Sequence, residues 1–206
     1  MDDAPAVMNQ DAVTRFAHPT YTLRRKVLKI LGARFHVYDP DGNLALYVKL
    51  KALKVREDIR LYADEEMTRE LLRISTKSWI DFSGGYQVFD SETDEPLGTL
   101  QRKGLKSSFL RDEWLVLDAQ GVELAKVVEE SMLKALVRRF VDDLAWLMPQ
   151  KFEAFIGEDV VASYKQNFNP FVQKIMIDFS HDPDGRLDPR LGLAAAVLLC
   201  AIEGRQ

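Results

Sequence analysis

Four aspartates, Asp178, Asp182, Asp184 and Asp188, stand just ahead of a long apolar run. Within them, Asp182-Pro183-Asp184-Gly185 has the carboxylate spacing of half a calcium loop, which makes Asp182 and Asp184 a weak calcium candidate. Calcium takes six to eight oxygens, and the helix-loop-helix type of site closes with a bidentate glutamate. No glutamate sits at that spacing here. The same residues also read as a Pro-Asp-Gly turn followed by a helix N-cap at Asp188, and that reading is preferred.

Basic residues fall in three groups. Arg24, Arg25, Lys26 and Lys29 come first, then Lys49, Lys51, Lys54 and Arg56, then Arg102, Lys103, Lys106 and Arg111. Residues 21–60 carry ten Lys and Arg against four Asp and Glu, whereas residues 61–100 carry three against nine. Tyr47, Lys49 and Lys51 alternate along the chain, so on a strand they share a face. Lys49, Lys51, Arg102, Lys103, Lys106 and Arg111 are therefore the candidates for an anionic ligand. A basic surface attracts anionic lipid head groups by about 1 kcal/mol per residue. The competing reading is that they are solvated outer faces of strands, which keep edges from aggregating.

Other chemistry is sparse. His18, His36 and His181 have no second ligand at metal spacing, and the single cysteine, Cys200, lies inside the apolar run. A buried cysteine behaves as a small apolar side chain. The sequence contains no Gly-x-Ser-x-Gly, no phosphate-cradling glycine loop before Lys-Ser/Thr and no His-Glu-x-x-His. No catalytic residue and no cofactor is expected, so the chain reads as a non-enzyme. One cysteine excludes a disulfide framework within the chain. A net charge of −4 argues against a dedicated nucleic-acid binder. The N-terminus, Met1-Asp2-Asp3-Ala4-Pro5, is acidic and leads into no apolar stretch, which argues against a secretory signal and for a cytoplasmic setting.

These residues need a scaffold, and 206 residues with 47% hydrophobic and 29% charged side chains suffice for a globular core. Residues 1–17 show no periodicity and read as a flexible leader, with a single domain over 18–206. Four segments start on an aromatic strand, turn, and return. They run from Phe35 through Asp39-Pro40-Asp41-Gly42-Asn43 to Leu50, from Tyr86 through Asp90 to Arg102, from Trp114 through Asp118-Ala119-Gln120-Gly121 to Val128, and from Phe152 through Gly157-Glu158-Asp159 to Lys165. Asp bonds the backbone ahead of it and Gly accepts positive φ, so each unit predicts a β-hairpin. Residues 58–62 and 70–74 predict a further hairpin, 21–31 a leading strand and 173–179 a late one. The total is about ten to twelve strands.

Two segments depart from this alternation. Between Ser131 and Trp146 the apolar residues recur at helical spacing, which predicts one amphipathic helix near 131–146. After Asp188-Pro189, every residue from Leu191 to Ile202 is apolar, counting Gly192. Such a run predicts a helix of about 15 residues, short of the ~20 that span a bilayer. Being apolar all round, it must be buried on every side. A closed antiparallel β-barrel with the helix inside meets that demand, since about 15 helical residues rise ~22 Å and six- or seven-residue strands stand about as tall. The expected class is mainly β (α+β), about 12 strands around a central C-terminal helix.

The stretches 35–42 and 86–90, Arg102-Lys103 ahead of Trp114, and the terminal apolar run together resemble the Tubby C-terminal-like superfamily. That grouping includes LURP-one-related proteins and the phospholipid scramblases. The resemblance covers roughly 21–202. It implies a barrel of about twelve strands around a central helix. It also implies phosphoinositide or anionic membrane-surface binding in some branches, lipid scrambling in another and no defined activity in the LURP-one-related branch. The Pro-rich and Cys-rich regions of scramblases are missing from the sequence. The functional expectation is a module on anionic phospholipid head groups, peripheral to the membrane. The alternative is a soluble regulatory or scaffold module that binds a protein or small ligand.

Overall fold

A computed structural model describes residues 10–28, 32–50, 59–76, 85–102, 113–129, 150–167 and 173–202. Twelve strands close into one antiparallel barrel. They are β1 (Thr20–Leu28), β2 (Gly32–Tyr38), β3 (Leu44–Leu50), β4 (Ile59–Tyr62), β5 (Glu70–Thr76), β6 (Tyr86–Asp90), β7 (Pro96–Arg102), β8 (Glu113–Asp118), β9 (Glu123–Glu129), β10 (Lys151–Ile156), β11 (Asp159–Gln166) and β12 (Gln173–Asp178). Each strand pairs with its sequence neighbours, and β12 closes the ring on β1 through partners such as Thr22 and Met176. Closure leaves no edge to be covered.

The connections at residues 39–43, 63–69, 91–95, 119–122 and 157–158 all fall at one end of the barrel, called the turn end below. An aspartate holds most of these turns. Asp39 Oδ1 accepts from the Asn43 N–H at 2.8 Å, Asp64 Oδ1 from Thr68 at 3.0 Å, and Asp118 Oδ1 from Val122 at 2.8 Å. At the apex of one of them Gly121 has φ 83°, a conformation that costs glycine nothing and a branched residue dearly.

The five hairpins share a second device. In each, the register shifts by one residue just past the turn, as a β-bulge does. The extra residues are Ala45, Leu71, Leu97, Leu124 and Val161, all apolar and all near the turn end.

The C-terminal helix α2 (Pro189–Ile202) fills the bore. The Arg190 N–H donates to Asp188 Oδ1 at 2.8 Å, so Asp188 caps the helix that Pro189 starts. Every residue from Leu191 to Ala201 is buried, against inward side chains such as Leu23, Phe35, Leu72, Leu100 and Ile177. Full burial of one such leucine contributes about 1.5–3 kcal/mol. Gly192 is glycine because a Cβ there would collide with the Phe179 ring, and the Tyr164 hydroxyl donates to its carbonyl at 3.2 Å.

Two expectations need comment. Residues 10–16, read in the sequence as part of a leader, contain helix α1 (Gln10–Phe16). Seven residues are too few to show a helical period, and tertiary contacts hold this one. Phe16 is buried, and Arg15 Nη1 donates to the carbonyls of Leu44, Ala45 and Ala63. The amphipathic helix expected near 131–146 lies outside the described residues.

Candidate functional site

Side chains alternate between the bore and the outside along each strand. On β1, Tyr21 and Leu23 are buried, and Arg24 and Lys26 point out and are exposed. The strand register then sets Arg24 opposite His36 on β2 and Lys174 on β12. Lys26 faces Arg34, and Arg34 faces Lys49 on β3. Arg24, Lys26, Arg34, Lys49 and Lys174 thus form one outward basic face across four neighbouring strands. Like charges directly opposite each other on a sheet are destabilising. No carboxylate among the described residues pairs with any of the five. Arg24 instead lies over the Tyr38 ring, 4.9 Å from its centroid. Met176, on the same outer face in register with Thr22, is 63% exposed.

The sequence candidates divide on this map. Lys49 belongs to the basic face. Arg102 does not: it ends β7 on the far side of the barrel, in register with the buried Trp114, so it stands on the inner face at the rim. Lys51, Lys103, Lys106 and Arg111 lie outside the described residues. Arg25 also leaves the group it shares in sequence. It points inward, is 7% exposed, and Nη1 donates to the Cys200 carbonyl at 3.0 Å, a positive charge at the C-terminus of α2. Arg34 and Lys174 are the members that sequence grouping missed. Arg34 was legible from its place between Ala33 and Phe35 on a strand next to β1. Lys174 joins only because β12 closes on β1.

His36 sits in this face but is 2% exposed, between Tyr38, stacked at 6.0 Å, and Tyr47 at 5.1 Å. Its Nε2 lies 3.2 Å from Glu65 Oε1 without hydrogen-bond alignment. Burial first holds its pKa below 6.5, and Lys26 and Arg34 push the same way against Glu65. Burial pushes the Cys200 thiol up to about 12, which removes it as a nucleophile near neutrality.

The acidic residues collect elsewhere. The turns and strand ends at residues 39–43, 63–69, 90–95, 118–123, 157–159 and 179–188 hold sixteen Asp and Glu against two Arg. Asp182 is buried, and its two oxygens are engaged, Oδ1 by Arg186 Nε at 3.1 Å and Oδ2 by the Leu187 N–H at 2.8 Å. Asp184 is exposed in the same turn. No group of three His, Cys, Asp or Glu able to hold a metal occurs among the described residues. At the foot of α2, Arg190 bridges Asp188 and Asp90, with Nη1 2.8 Å from Asp90 Oδ2.

One groove of about 470 Å3 opens at the turn end, between α1 and the start of α2. Phe16, Leu97, Leu124 and Leu191 give it apolar walls, and Arg186, Asp188 and Arg190 stand along it. No described helix is long and apolar enough to cross a membrane.

A solved crystal structure of an Arabidopsis thaliana protein is similar at 14% identity, covering 93% of this chain and 96% of that one, with a TM-score of 0.48. No curated protein matches. The LURP-one-related family pattern matches residues 44–200, from the start of β3 to the last turn of α2. With more than half its length matched, the chain belongs to the LURP-one-related family.

Proposed function

We propose that this barrel is a non-enzymatic module that docks on anionic membrane surfaces through the outer face of β12, β1, β2 and β3. The supporting observation is the row Lys174, Arg24, Lys26, Arg34 and Lys49, like charges in register, none ion-paired with a described carboxylate; Glu65, the acid at this face, lies against His36 instead. Keeping them adjacent costs stability, and an anionic partner would recover it. At about 1 kcal/mol each, five such charges contribute ~5 kcal/mol at low salt, the scale of a reversible peripheral contact. Lys51, two residues beyond Lys49, and the phosphoinositide preference of Tubby-like relatives extend the same reading. It carries with it a cytoplasmic, peripheral location. The acidic turn end would then face away from the bilayer.

Flotation with vesicles of phosphatidylcholine alone, with phosphatidylserine, and with a phosphoinositide tests this. Capture by the anionic vesicles alone, lost as salt rises and the Debye length shrinks, is the expected result. Equal recovery in the unbound fraction for every mixture overturns the reading. The alternative role as a scaffold is favoured by a separate observation, the groove at the turn end.

A further inference from the structure

The five bulge residues occupy equivalent positions in five hairpins, yet they are not equally covered. Ala45 and Leu71 are 3% exposed and Val161 is fully buried. Leu97 and Leu124 are only partly buried, and these two floor the groove. Beside them Val13 on α1 is 48% exposed and Val122 in the β8–β9 turn is 61% exposed. The apolar ring at the turn end is therefore closed on one side and open on the other.

Around the opening carboxylates outnumber cations. Glu95 and Glu123, both exposed, precede the two open positions in sequence, and Lys126 pairs with Glu123 at 3.2 Å. The two guanidiniums on the groove are already held by four carboxylates, Arg186 by Asp159 and Asp182, Arg190 by Asp90 and Asp188. Bonds from turn N–H groups orient many of the aspartates without cancelling their charge. An apolar slot inside an acidic field suits a segment that presents leucine-like side chains flanked by lysine or arginine.

We propose that the groove at the turn end is a docking site for a short cationic amphipathic segment of a partner protein, its apolar side chains covering Leu97 and Leu124. This site lies on a different surface from the membrane reading and does not depend on it.

The test uses the full chain, without lipid, and three fluorescent twelve-residue peptides: Leu–Lys, Leu–Glu with the same apolar pattern, and Ser–Lys with the same charge. The Leu–Lys peptide is expected to bind at least tenfold tighter than either control by fluorescence anisotropy. Val13→Arg, an exposed change on α1, is expected to weaken it at least tenfold while thermal unfolding stays cooperative. Lys49→Glu, on the basic face, is expected to leave it unchanged. Equal binding of Ser–Lys would reduce the effect to charge alone, equal binding of Leu–Glu to greasiness alone, and either overturns the proposal. So does an unchanged affinity in Val13→Arg. Concentration-dependent dimerisation that Val13→Arg abolishes would hand the groove to a second copy. Capture by phosphatidylcholine vesicles that the same variant abolishes would hand it to lipid. Both also overturn it.

Discussion

The acidic turn end and the basic outer face carry opposite charge for different reasons. At the turn end the fold itself uses the carboxylates. Asp39, Asp64, Asp118, Asp182 and Asp188 each accept a backbone N–H, and Asp90 and Asp188 hold Arg190. On the basic face, Lys26, Arg34 and Lys49 confront one another across strands with no comparable structural task. Charge that the backbone consumes says little about partners. Charge that the fold tolerates at a loss points outward, which is why the membrane reading rests on β12 to β3.

Both regions depend on the barrel being filled, so the largest effect comes from emptying it. A chain ending at Asp188 loses α2 and the contacts of its eleven buried residues, 191–201. Loss of cooperative unfolding, followed by circular dichroism, is the expected outcome. A soluble truncation that still melted cooperatively would overturn the account of the core and of both surfaces.

The next effect tests whether the turn-end charges are structural. In Arg190→Leu, Asp90 stays buried without its cation, which costs about 2–3 kcal/mol. Urea unfolding should show the lowered midpoint at an unchanged slope. A variant as stable as the parent would mean that the carboxylates at the foot of α2 are solvated ornament.

The basic face should behave in the opposite sense. Lys49→Glu replaces a like-charge neighbour of Arg34 with an opposite one, a gain of up to about 1 kcal/mol in stability. The same change reverses one charge, worth about 2 kcal/mol or some thirtyfold in affinity for anionic vesicles. Stability up and binding down is the signature of a face kept for a partner. A loss of both would class Lys49 with the structural charges.

Much of this was legible because its causes are local. The Asp-Gly turns, the alternating strands and the all-apolar run after Asp188 each announce an element within a few residues. The same alternation applied to Tyr21, Leu23 and Arg25 would have turned Arg25 into the bore; grouping it by charge hid that. What stayed out of reach depends on distant pairing. Lys174 meets Arg24 only through ring closure, and Leu97 and Leu124 become a groove floor only because a bulge slips the register of their hairpins. Helix α1 was hidden for another reason: seven residues carry too little pattern, and Arg15 earns its place through carbonyls 29 to 48 residues away.

The smallest effect separates the two regions by pH. Hydrogen bonds from the Thr68 N–H and hydroxyl hold the Asp64 carboxyl below its ordinary range. A depressed carboxyl contributes stability above its unfolded value of about 3.9 and loses it as pH falls through the folded one, so the Asp64 contribution is lost only in strong acid. His36 titrates higher. Its folded pKa is depressed by burial, then by Lys26 and Arg34, so the unfolded chain takes up the proton first, near pH 6.5. The neutral ring's contribution is complete above that pH and declines as pH falls below it. Melting curves from pH 7.5 to 5.0 should show a steeper decline in the parent than in His36→Gln. Parallel curves between 6.5 and 5 would mean that neither burial nor the Lys26 and Arg34 charges depress the His36 ring, against its place in the face.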